Sequence, residues 1–382
     1  MVSDKLKIPG VQAAVDVWKN IQEVDLRPVR EEAERNVRIA IVGKAGTGKQ
    51  ALAAQMRYDP ALPEQRTHTP VWLLEPGDAG DDLDADLIIL LVDLFDQKYA
   101  REAELLRQWQ QLGKQVLTIF VLSADENIDM AEEKLAKLTS GNVLAGCIGN
   151  PEFIKQHFVP SVISLLAEDL LSLGRQFPLF RLPIARKLIN DVSFSNAMYA
   201  FSTGIGEIVP VLDIPLNVAD VVVLTKAQAF LVYKLGLLFG YSVHWRDYLA
   251  EFSGILGGGF LWRQIARQLI GLIPVWGIVP KTAVAYAGTY AVGEAVLAWY
   301  ITGRQVTKEQ LRRLYRKAFA SGKNLAKSLA SKAAPSRLKL FKRKTKNALS
   351  AGGKTNNKPC PACGKNNQPD ARFCQYCGRV LE

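Results

Sequence analysis

Val37-Arg38-Ile39-Ala40-Ile41-Val42-Gly43-Lys44-Ala45-Gly46-Thr47-Gly48-Lys49-Gln50 is a short apolar run that ends in glycines and a lysine and then enters a helical pattern. Such a run, rich in Val and Ile and interrupted only by Arg38, suits a strand buried on both faces of a parallel sheet. Similar runs recur at Val71–Leu74, Leu87–Val92, Val116–Leu122 and Val143–Ile148. Between them, Gln50–Arg57, Lys98–Leu112 and Ile128–Leu138 read as helices, and a closing helix is expected around Pro151 to Leu173. Strands alternating with helices of this length predict a doubly wound α/β sheet over residues 37–175.

The turn that leaves the first strand has the spacing G-x-x-x-x-G-K, from Gly43 to Lys49, with a strand before it and a helix after it. That context makes the motif a phosphate cradle. Successive backbone N–H groups and a helix N-terminus surround an anion, and the lysine reaches the outer phosphates. Gly46 and Gly48 let the backbone approach closely where a side chain would obstruct it. Gly43, Lys44, Ala45, Gly46, Thr47, Gly48, Lys49 and Gln50 are therefore the candidate nucleotide-binding residues, for a nucleoside triphosphate, which the resemblance described next implies to be GTP. Gln50 departs from the motif. A Ser or Thr hydroxyl there ordinarily ligates Mg²⁺, and an amide is longer and neutral. The phosphate site reads as intact and the Mg²⁺ site as compromised.

Glu23-Val-Asp-Leu-Arg-Pro-Val-Arg-Glu-Glu-Ala-Glu-Arg35, leading into the loop, resembles bacterial Era- and dynamin-related GTPase-like proteins that carry a C-terminal, membrane-associated domain of unknown function 697. Ala200–Gly206, Ile208-Val-Pro-Val-Leu-Asp-Ile-Pro-Leu-Asn-Val-Ala-Asp220, Leu224-Thr-Lys-Ala-Gln228 and Ile273-Pro-Val-Trp-Gly-Ile-Val-Pro280 extend the resemblance over roughly residues 10–320. It implies a P-loop NTPase domain, GTPase-like, followed by an all-α apolar domain. It also implies a DxxG element, where this chain reads Leu74-Glu75-Pro76-Gly77, and an NKxD element, where it reads Ser123-Ala124-Asp125-Glu126. The metal aspartate and the guanine-reading residues are thus replaced. Thr67 and Thr69 lie where a switch threonine would be, and Asp93 ends a strand in the manner of a Walker B carboxylate. With metal and base elements altered, slow hydrolysis or none is expected, and no catalytic residue can be assigned.

Beyond Pro178 the strand signals stop, and residues 186–300 read as Ala-, Gly-, Val- and Leu-rich helices. Twenty mostly apolar residues are needed to cross a bilayer, but Glu207, Asp213, Asp220, Lys226 and Lys234 interrupt the first apolar region, as Lys281 and Glu294 do the second. Ala283, Ala287, Ala291 and Ala295 form a small-xxx-small ridge of the kind that brings membrane helices together. Trp276, Trp299 and Tyr300 read as interfacial anchors. A soluble Ala-rich bundle is the competing reading.

Residues 303–358 hold seventeen Lys/Arg and one acid, Glu309; against the chain's net charge of +11, the remainder is left at −5. A basic segment on a near-neutral body points to an anionic partner. Phe341 is the one aromatic in the linker, so a base-stacking surface is lacking and a membrane is favoured over nucleic acid. The N-terminus, Met1 to Lys7, is polar with no apolar core after it, so no secretory signal is expected. The expected location is the cytoplasmic face of the cell membrane.

Four of the five cysteines form Cys360-Pro-Ala-Cys363 and Cys374-Gln-Tyr-Cys377, each followed by glycine. Two such knuckles close a tetrahedral Zn²⁺ site with no open position, which makes the metal structural. Cys147 reads as a small buried hydrophobe. The expected organisation is an N-terminal helix over 1–36, the α/β domain over 37–175 and a helical membrane-associated domain over 176–320. A flexible basic linker over 321–357 and a zinc ribbon over 358–382 complete it. Three functions fit: a membrane-associated GTPase-like protein whose nucleotide state biases its helices, a non-catalytic scaffold recruiting protein partners, and a nucleic-acid-linked NTPase.

Overall fold

The computed structural model describes residues 26–93, 99–122, 142–206, 218–244, 278–304, 306–349, 358–359, 361 and 366–367. All five expected strands are present: β1 (Ile39–Gly43), β2 (Trp72–Leu74), β3 (Leu87–Asp93), β4 (Val116–Val121) and β5 (Asn142–Gly146). They pair in parallel in the order β2-β1-β3-β4-β5. Helix α1 (Arg27–Glu34) precedes β1, α2 (Lys49–Met56) follows it, and α3 (Ala100–Gln111) links β3 to β4. The helix expected over 128–138 lies outside the described residues, as do residues 1–25 of the N-terminal helix expected over 1–36.

At β1, β3 and β4 both faces of the sheet are covered, which is why these strands are apolar almost throughout rather than alternating; Trp72 and Leu73 of the edge strand β2 are exposed. Ile88, Leu90, Val92 and Phe120 pack against Leu105 and Trp109 of α3, and the Trp109 indole N–H donates to the Gly80 carbonyl at 3.0 Å. Ile39, Ile41, Ile89 and Leu91 face the other way, onto Leu52 and Met56 of α2. Pro28 opens α1 in its first turn. An N–H there has no helical acceptor, so its loss is harmless.

The closing helix expected over 151–173 is broken. A turn at Pro151–Phe153 and a π-helical turn at Ile154–Phe158 lead into α4 (Val159–Leu165), and α5 (Leu170–Gln176) follows. A 3-10 turn at Pro178–Phe180 opens the helical half, made of α6 (Arg181–Gly206), α7 (Val218–Leu238), α8 (Ile278–Thr302) and α9 (Lys308–Leu349).

Residues 37–175 and 176–320, expected as separate domains, share one hydrophobic core. Ile39, Leu52 and Phe158 belong to the same packed cluster as Leu231, Val292 and Trp299. Residues 1–326 accordingly form one compact unit and 327–382 a second. Helix α9 also continues to Leu349 through most of the stretch expected as a flexible linker. Its run of Ala, Lys, Leu and Arg has high helix propensity, which outweighs the hydrogen bond removed by Pro335.

Of the features that suggested lipid, the alanine ridge and two of the three aromatic anchors are used inside the protein. Ala283, Ala287, Ala291 and Ala295 are all buried, as are Trp299 and Tyr300. Tyr300 stacks on Phe239 with ring centroids 5.1 Å apart. Trp276 lies outside the described residues. Among the described residues no helix is long and apolar enough to cross a membrane. A buried polar contact registers three of the helices: Asn196 of α6 and Gln228 of α7 donate to the Thr289 hydroxyl of α8 at 2.8 and 3.3 Å, and that hydroxyl donates to the Ala285 carbonyl at 2.9 Å.

Small residues bring α8 and α9 together. A Cβ on Gly322 would lie 3.0 Å from the Ala283 Cα and 3.1 Å from its carbonyl oxygen. Gly322→Leu is therefore expected to push the two helices apart at a cost of about 1–3 kcal/mol, read as a lower urea midpoint. An unchanged midpoint would show that the contact contributes nothing.

Candidate functional site

In the order β2-β1-β3, the chain leaves β1 to one side for β2 and returns to the other for β3. Open α/β sheets bind ligands at the carboxyl ends of the strands where the order reverses, because the two loops diverge there and leave a crevice. The loop Gly43–Lys49 begins at the carboxyl end of β1, on that reversal.

Its conformation follows from its glycines. Gly46 and Gly48 have φ of 82° and 87°, a left-handed backbone that costs a non-glycine residue about 1–2 kcal/mol. Gly43 is required for space: a Cβ there would meet the Thr47 Oγ1 at 2.7 Å and the Leu91 carbonyl at 2.9 Å. Thr47 is buried and closes the turn, its hydroxyl donating to the Lys44 carbonyl at 2.8 Å. Helix α2 starts at Lys49, so its first N–H groups, which have no intrahelical acceptors, open onto the loop.

The Lys49 ammonium folds over the loop. It donates to the Gly43 carbonyl and, at 3.0 Å, to that of Lys44. The Glu75 carboxylate, in the residue after β2, lies 4.0 Å from it. On the other side, Lys44 of the β1 loop approaches Glu102 of α3 at 3.5 Å, spanning the reversal. Glu102 is buried, and among the described residues its Oε2 has no hydrogen-bond partner. It sits in the first turn of α3, where the helix dipole favours a negative charge. Two lysines and two carboxylates thus frame the glycine loop. Gln50 is exposed.

Other candidates are placed elsewhere. The Thr67 and Thr69 hydroxyls both donate to the Gln176 carbonyl, at 2.9 and 2.7 Å, so they serve the end of α5 and not the loop. Asp93 ends β3, exposed at the carboxyl edge. Residues 123–126, where the resemblance puts a base-reading element that this chain replaces, lie outside the described residues. Cys147 is half-buried at the end of β5. Its neighbour Ile148 presses its Cδ1 toward Gly48, where a Cβ would come within 3.2 Å.

The segment after α2 is tied to the start of the helical half. Arg181 opens α6 with a buried guanidinium that donates to the Gly174 carbonyl at 3.1 Å, the Arg175 carbonyl at 3.3 Å and Gln65 Oε1 at 2.9 Å. It lies 3.9 Å from the buried carboxylate of Asp59. Burial pulls the Arg181 guanidinium below its ordinary value, and Asp59 opposes that shift. Gln176 holds both ends of the neighbouring strand entry, accepting from the Val37 N–H at 3.3 Å and donating to the Arg35 carbonyl at 2.7 Å. Arg175 reaches the end of α7, donating to the Leu237 and Tyr241 carbonyls at 3.1 and 2.9 Å. Sequence reading passed over Glu75, Glu102, Gln176 and Arg181. Glu75 lay inside a segment already singled out; the others carried no signal, because only burial and tertiary approach distinguish them from surface charges.

At the C-terminus, Lys358–Pro359 pairs antiparallel with Asn366–Asn367. Cys360, Cys363, Cys374 and Cys377 lie outside the described residues, and among the described ones no cluster of His, Cys, Asp or Glu is arranged to hold a metal. A zinc-ribbon domain family matches residues 360–381. Its four thiols in two CxxC knuckles are a closed soft donor set for structural Zn²⁺. Among curated proteins, none matches the chain.

Proposed function

We propose that the Gly43–Lys49 loop binds the phosphates of a nucleoside triphosphate, as a P-loop NTPase-like site, and that its occupancy biases the helical half. The observation that carries this reading is the loop at the strand-order reversal, with two positive-φ glycines, a helix N-terminus and the Lys49 ammonium converging on one point. GTP is the first nucleotide to test, given the resemblance of residues 10–320 to GTPase-like proteins. With Gln50 and Leu74 at the metal positions, turnover is expected to be slow or absent and Mg²⁺ to add little affinity. Calorimetric titration with GTP, ATP and GDP, with and without Mg²⁺, tests it. Heat from at least one triphosphate is expected, and no binding of any at millimolar concentration rules the site out.

The route to the helices runs through the residues after α2. That helix starts at Lys49, and the segment following it is fastened at Gln65, Thr67 and Thr69 to the α5–α6 junction. Replacing Thr67 and Thr69 together by Val keeps their shape and removes both hydrogen bonds, at about 1 kcal/mol each. Amide exchange is expected to show nucleotide protection of residues 43–52 in both proteins, and protection spreading into α6 in the wild type alone. Equal spread in both would show that the threonines relay nothing.

A non-catalytic scaffold is the second reading. Glu75 favours it, since a carboxylate 4.0 Å from Lys49 competes with a phosphate for the same ammonium. Mg²⁺-dependent hydrolysis that disappears in Lys49→Ala would eliminate it.

A further inference from the structure

Helix α9 divides its surface in two. Leu311, Tyr315, Ala318, Gly322 and Ala326 are buried, and Gly322 meets the Ala283 backbone of α8. Stepping about 100° per residue, the remaining arc holds Arg312, Arg313, Arg316, Lys317 and Lys323, all exposed, with Glu309 as its one acid. From Arg312 to Lys323 this is a strip about 17 Å long. The residues between the cations are small or polar: Ala320, Ser321 and Asn324 are exposed there.

We infer that this cationic strip docks on an anionic bilayer by charge alone, without inserting into it. An amphipathic helix that enters a membrane lays down its apolar side, and here that side is already occupied by α8. The buried alanine ridge of α8 and the buried Trp299 and Tyr300 are likewise unable to reach acyl chains unless the core opens. What this part of α9 leaves exposed is charge with small or polar side chains between, and charge binds acidic headgroups and is screened by salt. The strip is convex and carries no aromatic side chain on its outer arc, Tyr315 being buried and Phe319 half-buried. It therefore offers a polynucleotide neither a groove nor a stacking platform, whereas a convex row of cations suits a flat anionic sheet.

The test uses the full chain and sedimentation with vesicles of phosphatidylcholine, with and without about one-third phosphatidylserine. Binding is expected only with phosphatidylserine, falling steeply as salt rises from low to physiological strength. Changing Arg312, Arg313, Arg316 and Lys323 to Gln is expected to weaken binding about fivefold per charge. The same loss of charge at Arg337, Lys339, Lys342 and Arg343 serves as the control and is expected to weaken it less. Equal losses in the two variants, salt-insensitive binding, or tighter binding to a 20-mer duplex than to the vesicles at the same salt would each overturn the proposal. Lipids brominated deep in their chains are expected to leave the fluorescence of the chain's seven tryptophans unquenched; quenching would overturn the non-inserting mode.

Discussion

Lys49→Ala is expected to reduce affinity for nucleoside triphosphate by about a hundredfold while leaving the fold intact. The ammonium reaches across the glycine loop, donating to the Gly43 and Lys44 carbonyls. A phosphate oxygen in the cradle would take up the same donors. A charge-assisted bond of this kind contributes about 1.5–3 kcal/mol, roughly a tenfold to hundredfold change in affinity, and a lysine bridging two phosphates lies at the upper end. The loop's shape depends on Gly43, Gly46, Gly48 and the buried Thr47 rather than on Lys49, so the thermal midpoint should move little. Calorimetry on both proteins reads the effect. Unaltered affinity in the alanine variant would falsify the assignment of Lys49 as the phosphate contact. Glu75→Gln is the informative companion: it removes the competing carboxylate at 4.0 Å and is expected to raise affinity modestly, opposite in sign to the lysine change.

Stripping zinc should have the largest effect on any single part of the chain. A module of about twenty residues cannot bury enough apolar surface to fold alone, and structural Zn²⁺ supplies on the order of 10 kcal/mol or more in small thiolate sites near neutral pH. Removing the metal with a strong chelator, or replacing Cys363 by Ser, is therefore expected to unfold residues 358–382 outright. Amides there should lose their exchange protection, and metal analysis should fall from one zinc per chain toward none. The main thermal transition should stay where it is, because residues 1–326 form a compact unit with a core of their own. Protection that survived complete metal removal would mean the ribbon is held by something other than zinc.

The two experiments separate parts of the protein that differ in how they were legible. The ribbon was readable from cysteine spacing because ligand geometry is imposed by the metal and not by the surrounding fold. The turn at Gly43–Lys49 was readable because its glycines are demanded by local backbone conformation: φ of 82° at Gly46 and 87° at Gly48 excludes most side chains at those positions. Near-continuous runs of Val, Ile and Leu likewise announced a sheet covered on both faces, and the five strands appear where the runs lie.

What surrounds the loop was not legible. Glu102 and Arg181 look in sequence like any other charges on helices, yet both are buried, one beside Lys44 and the other fastening Gln65 and Asp59 to the α5–α6 junction. Thr67 and Thr69 were plausible partners for a phosphate on position alone, and a carbonyl more than a hundred residues away takes both hydroxyls. The alanine ridge of α8 shows the same limit. A row of small residues says that something approaches closely, and it does not say whether that is a lipid-embedded helix or a neighbour in the same chain.

The sequence by itself determined the strands, the turn at Gly43–Lys49 and the zinc module, because each depends on local periodicity, backbone conformation or ligand spacing. Only the tertiary structure decided that the α/β and helical parts share one core, that α9 presents its charge outward, and which carboxylates stand beside the loop. Those outcomes depend on which apolar faces find each other across the chain, and burial, unlike periodicity, is a property of the packed molecule.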